Sequence, residues 1–481
     1  MLRLLIAIRA GAPFEVKFAE CAHFRFDIVK STPFSFPLAI IIVVTCWAGA
    51  APPPAQAQSS PPVAASIPDA SSAAPSTPGD LTQVLRIIAA RSPDVLAAQA
   101  AQHQSEAQVE QARAAWFGKV DAYASSQHFN DPRLTRPITQ PPTVALYPFG
   151  SDQFGYGVDF LLPLDISGQI AAEVDSARSR ASGARWSADD VRLRALLQGA
   201  TLYRNLQALA GQRAALDRQR ESLEASERVA QIGLKVGNIA RVYLLRVQAA
   251  AAEVRASLAN VQGQQSKLRA QLAALMGVAD FSAPTDTSGA GPSAFAANPN
   301  VTPPGVEAAQ NALQASQSKV QAAQRAQYPQ LVVTGGWNHN AIQWDTRPVD
   351  TWQIIVGVRL NLWSGGAQRS AIDAARAAED EARQRLQGAE DNLRAAREGA
   401  MAQWNAQEQA YIAAESGLLA AEEGAHIEQD RFRVGLGSAT ELIDAEAALA
   451  RARASVANAL SGWWQADDAL RYAYGEPPLA F

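Results

Sequence analysis

Cysteine is nearly missing from this chain. Its 481 residues hold two, Cys21 and Cys46, so no disulfide or thiolate metal site can form beyond the first fifty positions. Histidine is almost as scarce, and His103, His128, His339 and His426 stand at no spacing that pairs metal ligands. No metal and no cofactor is expected. An excess of either charge is lacking too: acids and bases are interspersed, with a net charge of −4 at pH 7. That leaves no basic face for a phosphate backbone, and nucleic acid is not an expected partner. There is no nucleophile elbow, phosphate loop or zinc motif, so no enzyme is expected. Long hydrophobic runs are also wanting. The apolar stretch LAIIIVVTCWAGA from Leu38 is short of the about 20 residues that a membrane-spanning helix needs.

That stretch follows Lys30 and precedes PAQAQ, which together give the charged, apolar and small-residue regions of a secretory signal. Residues 1–57 are therefore read as leader and signal peptide, with cleavage after Ala57 removing both thiols; acylation of Cys46 is the alternative. Residues 58–79 are Ser, Pro and Ala with almost no charge or bulk. Such a segment cannot bury enough surface to fold, and it reads as a disordered linker.

What the chain has instead is duplication. Lys235 opens KVGNIARVYLLRVQAAAAEVRASLAN, Arg433 opens RVGLGSATELIDAEAALARARASVAN, and the two align without a gap. A second pair agrees: VLAAQAAQHQSEAQVEQARAAWFGKV from Val95 matches VEAAQNALQASQSKVQAAQRAQYPQL from Val306. Self-similarity of this length dictates architecture before any local pattern does. Residues 80–277 form the first copy and 304–475 the second. A Pro-, Ser- and Gly-rich linker, 278–303, joins them, and 476–481 is a tail. Each copy reads helix, strand, loop, strand, long helix, turn, helix.

Two periodicities coexist in each copy. In QFGYGVDFLLPL the residues Phe154, Tyr156, Val158, Phe160 and Leu162 point one way, against Gly155, Gly157 and Asp159. In TWQIIVGVRLNLW the residues Trp352, Ile354, Val356, Val358 and Leu360 do the same against Gln353, Gly357, Arg359 and Asn361. Successive strand residues face opposite sides, so one whole face is apolar. A single strand of this kind is ordinarily half of a soluble sheet. Here the hairpins are separated by helix, and no second sheet exists to cover them. Aromatics also crowd the strand ends (Trp116, Phe117, Tyr147, Phe149, Trp344, Trp352, Trp363) as in the girdles of membrane barrels, and a secretion signal precedes them. A lipid-facing sheet is the expectation. Four strands cannot close a barrel, because the smallest bacterial ones have about eight, and an open edge cannot sit in lipid with its backbone unpaired. The barrel must be shared between chains.

The remainder reads as helix. No proline interrupts about 169–234 or about 366–434, enough for helices of about 100 Å at about 1.5 Å per residue. Ala375, Ala382, Ala389 and Ala396 recur as heptads beside Leu386, Leu393 and Ala400, a coiled-coil seam. Shorter helices are expected near 81–115, broken at Ser92-Pro93, and near 240–276, 304–327 and 439–474. The predicted fold is mainly α, internally duplicated, with a small membrane β part.

AQYPQLVVTGG, LNLWSGGAQRSAIDAA and RFRVGLGSATELIDAEAAL, in this order and within a duplicated unit, resemble the outer-membrane efflux family typified by TolC, the outer membrane factors. The resemblance spans about 80–477. It implies a homotrimer whose twelve-stranded barrel, four strands per chain, continues into a long α-helical coiled-coil tunnel. Such a protein sits in the outer membrane of a Gram-negative bacterium, with its tunnel in the periplasm and outer-membrane lipid around the barrel. It implies a passive exit channel for small toxic compounds, drugs or metal ions, joined through a periplasmic adaptor to an inner-membrane pump. The exit duct of a type I protein-secretion system is an alternative within the class; a coiled-coil scaffold without a pore is one outside it.

The same resemblance assigns residues. Val236 and Gly237 in the first helix turn, and Val434, Gly435 and Leu436 in the second, correspond to the adaptor-docking tip. Glu441 and Asp444 correspond to the acidic rings of the periplasmic aperture, although Ser438 and Glu441 also spell a capping box. The first copy carries Tyr243 and Arg246 at the matching places, where the best-known member of the family carries an acidic residue of its gating network, and Gly437 replaces an arginine of that network. A pairing of Arg246 with Asp444 is the expectation that follows.

Overall fold

The computed structural model describes residues 25–27, 43–45, 80–134, 149–236, 240–279, 281, 291–292, 301–342, 349–434 and 436–478. The chain divides into two units, 1–74 and 75–481. In the first, β1 (Arg25–Asp27) pairs antiparallel with β2 (Val43–Thr45); the rest of the leader, and the 58–79 linker, lie outside the described residues.

The second unit runs α1 (Leu81–Arg91), α2 (Pro93–Ala114), β3 (Lys119–Leu134), β4 (Phe149–Leu164), α3 (Gln169–Lys235), α4 (Arg241–Met276), α5 (Pro304–Arg325), β5 (Gln330–Ile342), β6 (Val349–Arg359), α6 (Ala367–Arg433) and α7 (Ala439–Ala473). Asp80 starts α1 by accepting from the Thr82 amide. Pro93 at the first position of α2 costs that helix nothing, since its amide would have no partner there. Both long helices begin in the same way: Gly168 before α3 and Gly366 before α6 take the left-handed conformation, with φ of 71° and 90°. A side chain at either would strain the step from strand to helix. No helix among the described residues is long and apolar enough to cross a membrane.

The strands form one antiparallel sheet in the order β3-β4-β5-β6. The two hairpins, one from each copy, are thus joined directly through β4 and β5, while β3 and β6 are edges with no partner among the described residues. The alternation in the sequence runs on to Leu362, yet β6 stops at Arg359, which faces Gln330 at the start of β5. Pro329 precedes that start and has no amide to donate to a ladder, so Leu360 lies one residue past the paired region.

α3 is the spine of the helical part. It packs against α1, α2, α4, α5 and α7 and supplies most of the buried residues of the long helices. One apolar core joins Leu85 and Ile88 of α1, Leu196 and Tyr203 of α3 and Leu272 and Met276 of α4. Beside this core on α3, a polar cluster fixes three helices at one level. Asp467 of α7 is fully buried and accepts from Trp404 Nε1 of α6 at 3.2 Å and from Arg471 Nε at 2.8 Å. Beside it Arg204 of α3 lies over the Trp464 ring, 4.3 Å from its centroid, and 3.8 Å from Asp468. α6 packs on α5 and α7 and leaves much of its length exposed, including Ile412 and Leu419.

Candidate functional site

The register shows that the apolar alternation of each strand belongs to one continuous face. Residues directly opposite one another share a side of the sheet, and the rows read Leu162, Val333, Val356; then Val120, Phe160, Gly335, Ile354; then Ala122, Val158, Trp337, Trp352. Tyr156 and Phe154 continue the same side toward the hairpin ends. Trp352 is 75% exposed and Val356 67%, so nothing among the described residues covers this face. The other side is polar over most of its length. Asp121, Asp159, Gly336 and Gln353 form one row, and Tyr123, Gly157, Asn338 and Thr351 the next. There Lys119 Nζ meets Asp121 at 2.9 Å, and the Tyr123 hydroxyl donates to Asn338 Oδ1. Gly157 makes room for that bond: a Cβ there would lie 2.5 Å from the Trp337 carbonyl oxygen and 2.6 Å from Asn338 Oδ1.

Aromatic residues flank the apolar band. Toward the hairpin ends Tyr156, Trp337 and Trp352 cluster, with the Tyr156 and Trp337 centroids 5.9 Å apart. Toward the helices Phe117 and Trp363 are 82% and 86% exposed. Tyr147 and Trp344, expected to belong to these girdles, lie outside the described residues.

At the far end of the long helices, Val236 and Val434 cap α3 and α6 with matching backbone angles. Gly237 and Gly435, the glycines expected at these turns, lie outside the described residues. Val236, Val434 and Leu436 are all exposed, Leu436 by 77%. The second turn closes where the amides of Leu436 and Gly437 both donate to the Arg431 carbonyl, at 2.8 and 3.0 Å. α7 then opens with a complete capping box. The Glu441 amide donates to Ser438 Oγ at 3.2 Å, and the Ser438 amide to Glu441 Oε2 at 2.8 Å. The Ser438 amide thereby holds the Glu441 carboxyl below the usual carboxylate range. Asp444 stands exposed one turn further.

Arg246 of α4 does not reach Asp444. Its Nη1 donates to Thr440 Oγ1 at 2.7 Å, so the two copies do meet through this arginine, one turn nearer the tip than expected. Beside it is a contact that sequence reasoning missed. The Tyr243 ring stacks on Phe432 of α6, centroids 5.5 Å apart and planes at 27°, over a small core of Leu223, Val247, Ala251 and Val254. The Tyr243 hydroxyl is buried with no hydrogen-bond partner among the described residues, and burial pushes the phenol above its ordinary value. The bond and the stack hold the α3–α4 and α6–α7 tips side by side.

Such a chain pairs two repeats of helix, hairpin and long helix, and each repeat is matched separately by one family model, described as outer membrane efflux protein, over residues 84–278 and 302–476. The chain belongs to the outer membrane efflux protein family. This efflux protein has the fold of solved channels. The Campylobacter jejuni CmeC outer membrane channel aligns with a TM-score of 0.72 and 17% identity, over 82% of this chain and 85% of that one. The outer membrane protein VceC of Vibrio cholerae gives 0.69 and 20%, over 82% and 96%. The open state of the Neisseria gonorrhoeae MtrE outer membrane channel gives 0.66 and 17%, over 82% and 89%. Among curated proteins none matches. Membership makes this an outer-membrane protein of the efflux-channel kind, in a family of channels rather than enzymes. Among the described residues no group of three or more His, Cys, Asp or Glu could hold a metal ion.

Proposed function

We propose that three copies of this chain join their four-stranded sheets into one twelve-stranded barrel in the outer membrane, with the long helices continuing below it as a tunnel across the periplasm. The assembly is a passive exit duct of a tripartite pump for small toxic compounds. The observation that carries this reading is the sheet itself, which exposes an apolar face and leaves both edges, β3 and β6, unpaired. A sheet edge in hydrocarbon is untenable; pairing β6 of one copy with β3 of the next removes every edge and turns the polar rows of Asp121, Asp159 and Gln353 toward the lumen. The exposed α6 side meets its neighbours in the same closure.

At the periplasmic end, Val236, Gly237, Val434, Gly435 and Leu436 form the surface on which the adaptor docks. Glu441, Asp444 and Arg246 surround the aperture with unequal roles. Glu441 is occupied in its capping box and Arg246 on Thr440, which leaves Asp444 as the carboxylate that a passing cation meets. The test is to purify the full chain in detergent and insert it into planar bilayers. Heat-labile trimers and stepwise ion conductance are expected, together with loss of solubility once detergent is removed. A monomer that stays dissolved without amphiphile and conducts nothing would overturn the proposal.

A further inference from the structure

The hairpins share one feature used by neither the apolar band nor the tip. On the face that carries Val356, Ile354 and Trp352, the next residue toward the hairpin end is Asp350, directly opposite His339, with Nδ1 2.6 Å from Oδ1. In the other hairpin Asp152 stands directly opposite His128, with Nδ1 2.5 Å from Oδ1. The alignment that places Val95 on Val306 places His128 on His339, and the one that places Lys235 on Arg433 places Asp152 on Asp350. Between 119–130 and 330–341 histidine is the only residue the two copies have in common. Between 151–162 and 349–360 the aspartate is shared, along with Val158/Val356 and Leu162/Leu360 alone, and all of these lie on the same face. Copies that have replaced nearly everything else in their strands have kept this pair.

Its position gives the pair a physical role. On the lipid side of a barrel, a charged group costs about 2–4 kcal/mol at the midplane and about 0–1 kcal/mol near the interface, so a carboxylate with its imidazole belongs where hydrocarbon ends. The His339 ring lies 4.7 Å from Tyr156 and 6.2 Å from Trp337, aromatics of the kind that sit at that level. Asp152 lies nearer the hairpin end of β4 than Tyr156, the residue opposite His339; strands of a barrel are tilted, so points of equal depth are staggered along them. With Nδ1–H donated to the carboxylate, Nε2 is the nitrogen left to face the lipid, and it donates to a phosphate oxygen in the imidazolium form, where both ring nitrogens carry hydrogen.

We propose that the His128–Asp152 and His339–Asp350 pairs are the barrel's contact with the phosphate-bearing headgroups of the leaflet at the hairpin end, and that they fix where hydrocarbon stops on the sheet. The inference rests on the barrel reading. To test it, the full chain carrying Cys21→Ser and Cys46→Ser receives one nitroxide, at Val356→Cys or at Ala341→Cys, the latter opposite Phe154 and just beyond His339. The trimer is placed in phosphatidylethanolamine and phosphatidylglycerol vesicles. The label at 356 should be reached by oxygen and not by a soluble nickel chelate; the label at 341 should be reached by both and should broaden the phosphorus resonance of the headgroups. Hydrocarbon or bulk-water behaviour at 341, with 356 in hydrocarbon, overturns this inference alone. Water-like behaviour at 356 overturns the barrel reading and this inference with it. Replacing the pairs by His128→Leu, Asp152→Leu, His339→Leu and Asp350→Leu should draw the label at 341 into hydrocarbon, and an unmoved label would deny the pairs their role. If that variant fails to assemble, the label in the otherwise native strands still decides.

Discussion

Replacing Val356 by lysine should cost the assembly several times what the same change costs three residues away. Val356 lies opposite Val333 in a row with Leu162, between Ile354 and Val358 on its own strand, and is covered by nothing among the described residues. If that row faces lipid near the midplane, each lysine costs about 2–4 kcal/mol, or roughly 6–12 kcal/mol over three copies. That is comparable to the whole stability of an ordinary domain, about 5–15 kcal/mol. Gln353 faces the other way, opposite Gly336, where a Cβ would lie 2.2 Å from an Asp159 carboxylate oxygen. A lysine there enters a polar row beside that carboxylate and should change stability by no more than about 0.5 kcal/mol. Trimer yield in isolated outer membranes and urea unfolding in lipid vesicles would read both variants, with Val356→Lys depleted and Gln353→Lys close to the parent. Val356→Phe completes the argument, because a lipid-facing site accepts any apolar bulk whereas a packed interior charges about 1–3 kcal/mol for overfilling. Equal losses for the two lysines would refute the face assignment, and a loss for phenylalanine would show that protein, not lipid, covers Val356.

Four further outcomes are expected. Leu436→Asp should abolish export in a susceptibility assay while trimer abundance stays normal, because it alters an exposed tip residue with no packing role; normal export would remove the tip from the docking surface. Tyr243→Phe keeps the stack on Phe432 and deletes a buried hydroxyl that has no partner among the described residues, so thermal unfolding should move up by the equivalent of about 1 kcal/mol. Asp467→Ala strips a fully buried acceptor from Trp404 and Arg471, and should lower stability by about 3–5 kcal/mol, read as a fall in melting temperature. The Glu441 carboxyl is held below its ordinary value of 4.5, so its support for the α7 start is complete above that pH and fades as pH falls through the lowered value. The protection of the Ser438 amide, its exchange rate corrected for the intrinsic dependence on pH, should fall on acidification in the parent and stay constant in Glu441→Gln.

Legibility in the sequence followed the range of the forces involved. Proline-free length and the absence of helix breakers are local properties, and they place α3 and α6 within a residue or two of their ends. Alternation is also local, and it sorted Trp352 through Val358 from Gln353 and Gly357 without knowledge of any partner strand. The misreadings lie where two distant helices meet. Arg246 bonds Thr440 instead of Asp444, and Tyr243 finds Phe432, a residue that the duplication does not align with it. Both depend on the rotational phase between α4 and the α6–α7 pair, which is set by packing along the whole bundle and written in no short stretch. His128 and His339 were legible only as poor metal ligands, because the carboxylate each one meets lies across a strand pairing.

A third kind of signal was readable in the sequence but is left unanswered by a single chain. The apolar face, the unpaired edges of β3 and β6, and the exposed side of α6 with Ile412 and Leu419 are each strongly specified, and each lacks a partner among the described residues. Leaving any one uncovered in water would be costly: apolar area is worth about 25 cal/mol per Å², and an open edge invites pairing with any other strand. One arrangement resolves all three together. Pairing β6 with the β3 of a neighbour removes the edges, curves the sheet so that its apolar side turns outward to lipid, and brings the α6 of one copy against the helices of the next. A soluble monomer would need three separate remedies for the same sequence features, and the described residues supply none of them.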